Sequence, residues 1–391
     1  MKKNYFLLYF ILLSYFSFSQ NFEYASIKAT SVTFGGDTIN IKKDDGSGNY
    51  PKPHWTANSK NASPVAYVSG NAPSVSASFT FECANAPSFV YIRGEASDSI
   101  TFPSQKVTLT GTSGNAYKFD YPETVGSHVF KLAVVRFFKP FVINWQVSFD
   151  NGVNWRSAGE TKNTLYVLYK TPQAEAGEFL WFHTVFDLSC RNAQYKTNDT
   201  AIIAAIWTEF TDQIVLNYND DSLFYYKNKS TPYSTLAQLL KFKDAECYTF
   251  CQLFLAAIKI QGVIRTNNYS NIAASGTACG NYKIYSFLVK NYDFLQKAGN
   301  APCADFPYGQ AGVKKRPGIA GSCVKTPSSS FGNHQVTIID GVYYDPSYGH
   351  SFSSLAELTK GSICAWGTIS SAYFFSTDLS KGSFKETITT Y

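Results

Sequence analysis

Apolar and polar residues alternate through much of the first part of the chain. Val75, Ala77, Phe79, Phe81 and Cys83 alternate with Ser76, Ser78, Thr80 and Glu82, the period of a half-buried strand. Ile143, Trp145, Val147 and Phe149 alternate with Asn144, Gln146 and Ser148 in the same way. Asp150-Asn-Gly152 then predicts a turn into Val153 and Trp155. Further strands are expected at Val32–Ile41, Phe89–Arg93, His128–Phe138 and Leu165–Tyr169, with no helical period between them.

The texture changes near Thr171-Pro-Gln-Ala-Glu-Ala-Gly-Glu178, which has no large apolar residue and reads as a linker. Beyond it the apolar period becomes helical. Ile202, Ile203, Ile206, Trp207 and Phe210 share a face behind Thr200, an expected cap, and a second helical segment covers Ser234 to Lys241. The strongest pattern follows: Cys247, Phe250, Cys251, Phe254, Leu255 and Ile258 fall at i, i+3, i+4, i+7, i+8 and i+11. Asp244 is the expected N-cap of this helix and Gly262 its stop. Leu253, Ala256, Ala257 and Ile260 widen the stripe until the helix belongs inside a domain. Strands are expected afterwards at Tyr282–Lys290, Gln335–Tyr344 and Ala372–Ser376, around a long Gly-, Pro- and Ser-rich loop over Gly299–Gly332. The chain is therefore expected to be multidomain. An all-β sandwich of immunoglobulin-like character over residues 20–172 precedes an α+β domain over 173–391. The Cys…Trp…Cys pattern of antibody domains is missing, because Cys83 is the only cysteine in the first part.

Residues 1–19 read as a secretory signal: Lys2 and Lys3, an apolar run from Tyr5 to Phe16, then Ser17-Phe-Ser19 as the cleavage site. The expected mature protein is exported, secreted or periplasmic, and not held in a membrane. Its formal net charge falls from +6 to +4 without Lys2 and Lys3, which gives a nucleic-acid role no electrostatic support. In an exported chain some of the 8 cysteines should pair. Cys279, Cys303 and Cys323, in loop-rich sequence, are the better disulfide candidates, and Cys251 is expected as a small core residue. Signatures for phosphate loops, dinucleotide binding, serine-nucleophile elbows and zinc sites are absent, so no cofactor or metal is expected.

Two stretches carry chemistry. Cys247 would stand in the first turn of its helix, where free N–H groups and the helix dipole favour a thiolate. Asp340-Gly341 predicts a two-residue hairpin that sets Ile339 opposite Val342, Ile338 opposite Tyr343 and Thr337 opposite Tyr344. That register makes His334 and Asp345 diagonal neighbours on one face, so the carboxylate can orient the imidazole. Nucleophile, base and orienter are then Cys247, His334 and Asp345, with His350 the rival histidine by proximity.

The run from Cys247 through Phe250 and Leu253 to Gly262, followed by His334 and Asp345-Pro346, resembles the transglutaminase-like superfamily over roughly residues 175–391. Ala245 stands where that family usually has Gly, and Val336 where it usually has an aromatic residue. The resemblance implies a papain-like Cys-His-Asp fold acting on amide bonds of a protein or peptide, by hydrolysis, deamidation or acyl transfer. It also implies a side-chain donor to the oxyanion beside the Cys247 backbone N–H, for which Trp207 and Gln213 are the candidates. The alternative is a non-catalytic binding protein or adhesin, in which the sandwich takes a glycan or protein ligand and the second domain is an inactive scaffold.

Overall fold

A computed structural model describes residues 24–59, 62–173, 181–228, 233–265, 267–278, 282–290, 292–315, 320–325, 327, 330–368 and 374–390. The expected export signal and residues 174–178 of the expected linker lie outside them. The fold is β-rich, with five α-helices among the described residues.

The alternating strands of the first part form two five-stranded sheets. One runs in the order Trp55–Thr56, Tyr24–Gly35, Ser74–Cys83, Ala116–Val125, Thr110–Ser113. The other runs Val65–Val68, Arg156–Leu168, Arg136–Ser148, Phe89–Ala96, Thr101–Thr108. Their inward residues share one core, as the strand period requires. Trp145 lies edge-on to Phe79 at 5.3 Å and to Tyr121 at 5.4 Å, and so joins the two sheets. Its buried indole N–H donates to Thr161 Oγ1 at 3.1 Å.

Two expected strands are shorter than their apolar content suggested. The strand after Val32 ends at Gly35, where Gly36 takes φ +67°. The segment from His128 becomes a strand only at Arg136, because Ala133 turns the chain at φ +52°.

In the second part the helices are α1 (His183–Asn192), α2 (Asp199–Thr211), α3 (Leu236–Phe242), α4 (Cys247–Lys259) and α5 (Leu355–Ser362). Helix α4 is buried from Thr249 to its end, as its wide apolar stripe demands. It packs against α1, α2, α3 and the strand Asn333–Ile339. That strand belongs to a sheet ordered His350–Phe352, Val342–Asp345, Asn333–Ile339, Asn267–Ser275, Ser383–Thr390. Gly262 ends the α4 region at φ +69°, and a Cβ there would collide with Thr171 O.

The caps differ from the expected ones. Asn198, not Thr200, caps α2, accepting from Ala201 N at 2.9 Å. The N-cap of α4 is Glu246, with no side-chain cap bond. Asp244 is used elsewhere: its carboxylate accepts N–H bonds from Lys227 at 2.9 Å and Asn228 at 2.7 Å.

The second core is completed by side chains from the first part, among them Ile41, Ala66, Val135, Tyr166 and Leu168. A buried polar chain crosses the same contact. Tyr50 hydroxyl lies 2.8 Å from His183 Nδ1, and His183 Nε2 lies 2.8 Å from Tyr166 hydroxyl. Tyr166 donates to Asp187 at 3.1 Å, and Arg191 donates to Asp187 at 2.7 Å. Burial holds His183 neutral, with its pKa down at about 3, and holds buried His54 down at about 4. Both would titrate near 6.5 in the unfolded chain, so folding opposes proton uptake below that value. Asp44, pushed up to about 6 by burial, acts in the opposite sense between its unfolded value of 3.8 and about 6. Asp187, also raised by burial, acts with Asp44, and the two histidines, displaced across the whole window from 6.5 to 4, set the sign. The melting temperature is therefore expected to fall between pH 6.5 and 4, and a flat thermal-melting profile over that window would contradict this balance.

Candidate active site

Helix α4 presents Cys247 at its first residue, half-buried and as a free thiol. The short strand Asp244–Ala245 leads into it and pairs in parallel with Phe224–Tyr225.

His334 comes from the neighbouring hairpin. Asp340 and Gly341 turn it with φ of +51° and +82°, the backbone that a two-residue turn of this kind needs. Ile339 pairs with Val342, Ile338 with Tyr343 and Thr337 with Tyr344, the register expected from the turn. His334 Nε2 then lies 2.8 Å from Asp345 Oδ2, with His334 4% and Asp345 3% exposed, so water scarcely competes for the bond. Ser347 N–H donates to the other carboxylate oxygen at 3.2 Å. The rings of Phe331 and Tyr348 flank the imidazole at 5.4 and 5.8 Å. The rival His350 is exposed, on the strand that pairs with Val342–Asp345.

Burial alone would push the His334 pKa down. The charges of Asp345 and then Cys247, with the hydrogen bonding each offers, overcome burial and raise it to about 10. The contact with Asp345 assigns the Nε2–H tautomer and leaves Nδ1 for Cys247. Nδ1 is buried and has no partner in full hydrogen-bond geometry, although the thiol is close enough to act on the ring. The pair is near but outside bonding geometry.

Cys251, one turn along α4, is buried with its thiol 3.4 Å from Gln335 O. Cys303 is disulfide-bonded, and Cys279 lies outside the described residues. Cys323, expected as a disulfide candidate, is a free thiol; its turn at φ +53° directs Sγ to Val215 O at 3.7 Å. Trp207 packs against Phe254 at 5.2 Å and Tyr344 at 4.9 Å. Phe254 is two turns, about 10 Å of helix, beyond Cys247, so Trp207 is part of the core there. Gln213 donates one of its two amide N–H groups to Tyr348 O at 2.9 Å.

Tyr225 and Tyr348 were not singled out in the sequence. Both hydroxyls sense the charges of Cys247 and Asp345, and both are held far above the ordinary phenol range, chiefly by burial. The available signal was the Phe224-Tyr225-Tyr226 run shortly before the helix, whose pairing with Asp244–Ala245 is non-local.

No protein-family model matches the sequence, and no curated protein matches it either. Among solved structures, that of red sea bream transglutaminase is similar at a TM-score of 0.24 and 8% identity, over 70% of this chain and 46% of that one. The chain thus spans less than half the length of that protein, and a likeness this weak carries no argument about activity.

Proposed function

We propose that this chain is an exported, two-domain, thiol-dependent enzyme acting on amide bonds of proteins or peptides. Its domains would be an immunoglobulin-like sandwich over residues 20–172 and a transglutaminase-like domain over 173–391. The observation that carries this reading is the buried 2.8 Å His334–Asp345 contact, which leaves Nδ1 for a thiol at a helix start.

In the proposed reaction the Cys247 sulfur adds to the amide carbonyl. The C–S bond forms, the carbonyl π pair moves to oxygen, and the thiol proton resides on His334 Nδ1. Asp345 keeps Nε2–H in place and stabilises the imidazolium. The Cys247 backbone N–H, at the uncapped start of α4, donates to the oxyanion. Collapse reforms the carbonyl and breaks the C–N bond, and the leaving amine takes its proton from Nδ1. The thioacyl enzyme is then resolved by water, or by an amine. Water is the default acceptor, so hydrolysis or deamidation is favoured over cross-linking. Mass spectrometry of casein and peptide substrates tests this by scoring cleavage, deamidation and cross-linking together. No Cys247-dependent product in any channel would remove the proposal.

One observation favours a binding role instead. A cleft of about 700 Å³ between the two parts is lined by residues including Lys43, Asp45, Tyr50, Lys139 and Tyr218, and none of Cys247, His334 or Asp345 lines it. A non-catalytic protein that takes a glycan or protein ligand would leave Cys247 replaceable without functional loss.

A further inference from the structure

Among the described residues, His334 Nδ1 and the Tyr225 hydroxyl are buried, sense the charge of Cys247 and have no hydrogen-bond partner. The first is used when the thiol gives up its proton. The second has no use in the mechanism above, yet an unbonded buried donor costs stability and calls for a reason.

Tyr225 is rigidly placed. Its backbone is in register with Ala245, two residues before Cys247, and its N–H donates to Ser322 O at 2.9 Å. Its ring lies edge-on to Phe250, one turn along α4 from Cys247, at 5.8 Å, and to Tyr348 at 5.3 Å. Tyr348 in turn flanks His334. Burial, then the charges of Tyr348, Cys247 and Asp345, keep the phenol protonated, so it remains a donor. Tyr348 also acts on it as a hydrogen-bonding neighbour, but the contact falls short of bonding geometry. The hydroxyl thus senses the Cys247 charge without bonding to its sulfur. A donor held there without a partner suits an oxygen carried by the carbon that the sulfur attacks. The turn Gly321–Val324 covers the ring: a Cβ at Gly321 would stand 2.5 Å from Tyr225 Cδ1. A hydrogen bond made in a place so shielded from water is strengthened.

Resting on the proposed function, we propose that the Tyr225 hydroxyl is the side-chain donor to the oxyanion, beside the Cys247 backbone N–H. As Cys247 adds, the carbonyl π pair moves to oxygen and the phenol donates a hydrogen bond to it without losing its proton. Collapse returns the pair and releases the phenol.

Tyr225→Phe in the full chain tests this with two probes. Iodoacetamide alkylates the thiol by displacement and forms no oxyanion, whereas p-nitrophenyl acetate must pass through one. The variant keeps the ring contacts and is expected to melt no lower than wild type. Its Cys247 alkylation rate is expected to stay within about twofold, while kcat on the ester falls about 100-fold with little change in KM. Unchanged ester turnover would overturn the assignment. Alkylation and turnover falling together would also overturn it, since that marks a structural role. Wild type inert to both probes would remove the proposed function itself, an outcome separate from an active wild type matched by its variant.

Discussion

Cys247→Ala is expected to abolish turnover, by about four orders of magnitude or more, and to leave the fold intact. The side chain is half-buried, and the fully buried run of α4 begins beyond it, at Thr249. Removing it changes stability by about 1 kcal/mol or less. The loss falls on chemistry because, among the described residues, no other free thiol is placed to replace it. Cys251 is buried one turn away against Gln335 O, and Cys323 sits against Val215 O. Steady-state turnover together with circular dichroism checks both halves of the expectation. Retained turnover in a folded variant would exclude Cys247 as nucleophile.

Asp345→Asn is expected to cost on the order of 10³ to 10⁴ in kcat and to move the alkaline limit of activity. The amide keeps the shape and an acceptor for Ser347 N–H, but its NH₂ can donate to His334 Nε2. That selects the Nδ1–H tautomer, which cannot take the thiol proton. The pH effect has a definite sign. Wild-type His334 is raised to about 10, first against burial and then by Asp345 and Cys247, so the imidazolium that protonates the leaving group is lost only as pH rises through about 10. The stability it contributes is complete below the unfolded value of 6.5 and is lost across the same rise. Without the carboxylate, burial acts with less opposition and the limit moves to lower pH. A pH–rate profile for kcat checks this. An alkaline limit that stays near 10 in the variant would show that Asp345 does not govern the imidazole.

Residues with one dominant local determinant were legible in the sequence. The Ser74–Cys83 alternation, the α4 stripe and the Asp340-Gly341 turn each follow from spacing, and the turn alone fixes the register that brings His334 to Asp345. Elements governed by distant partners were not. Thr101–Thr108 turns only Phe102 and Val107 inward, as befits an edge strand, so its pattern is faint. Asn267–Ser275 is polar in sequence and is a strand because it is held between Asn333–Ile339 and Ser383–Thr390. Asp244 looked like a cap because local spacing favoured it, but the Lys227 and Asn228 amides claim its carboxylate. Tyr225 escaped notice for the same reason, since its place depends on a pairing across 20 positions, with Ala245.

The most direct measurement is the rate of iodoacetamide labelling at each cysteine of the folded chain at pH 7, read by peptide mass spectrometry. Cys323 and Cys364 are internal controls: both are half-buried free thiols, and burial pushes the Cys364 pKa up to about 11. Cys247 is expected to label at least about tenfold faster than either, and to lose that advantage in Asp345→Asn. Labelling of Cys247 at the controls' rate, or unaffected by Asp345→Asn, would contradict a thiol activated by His334 and Asp345.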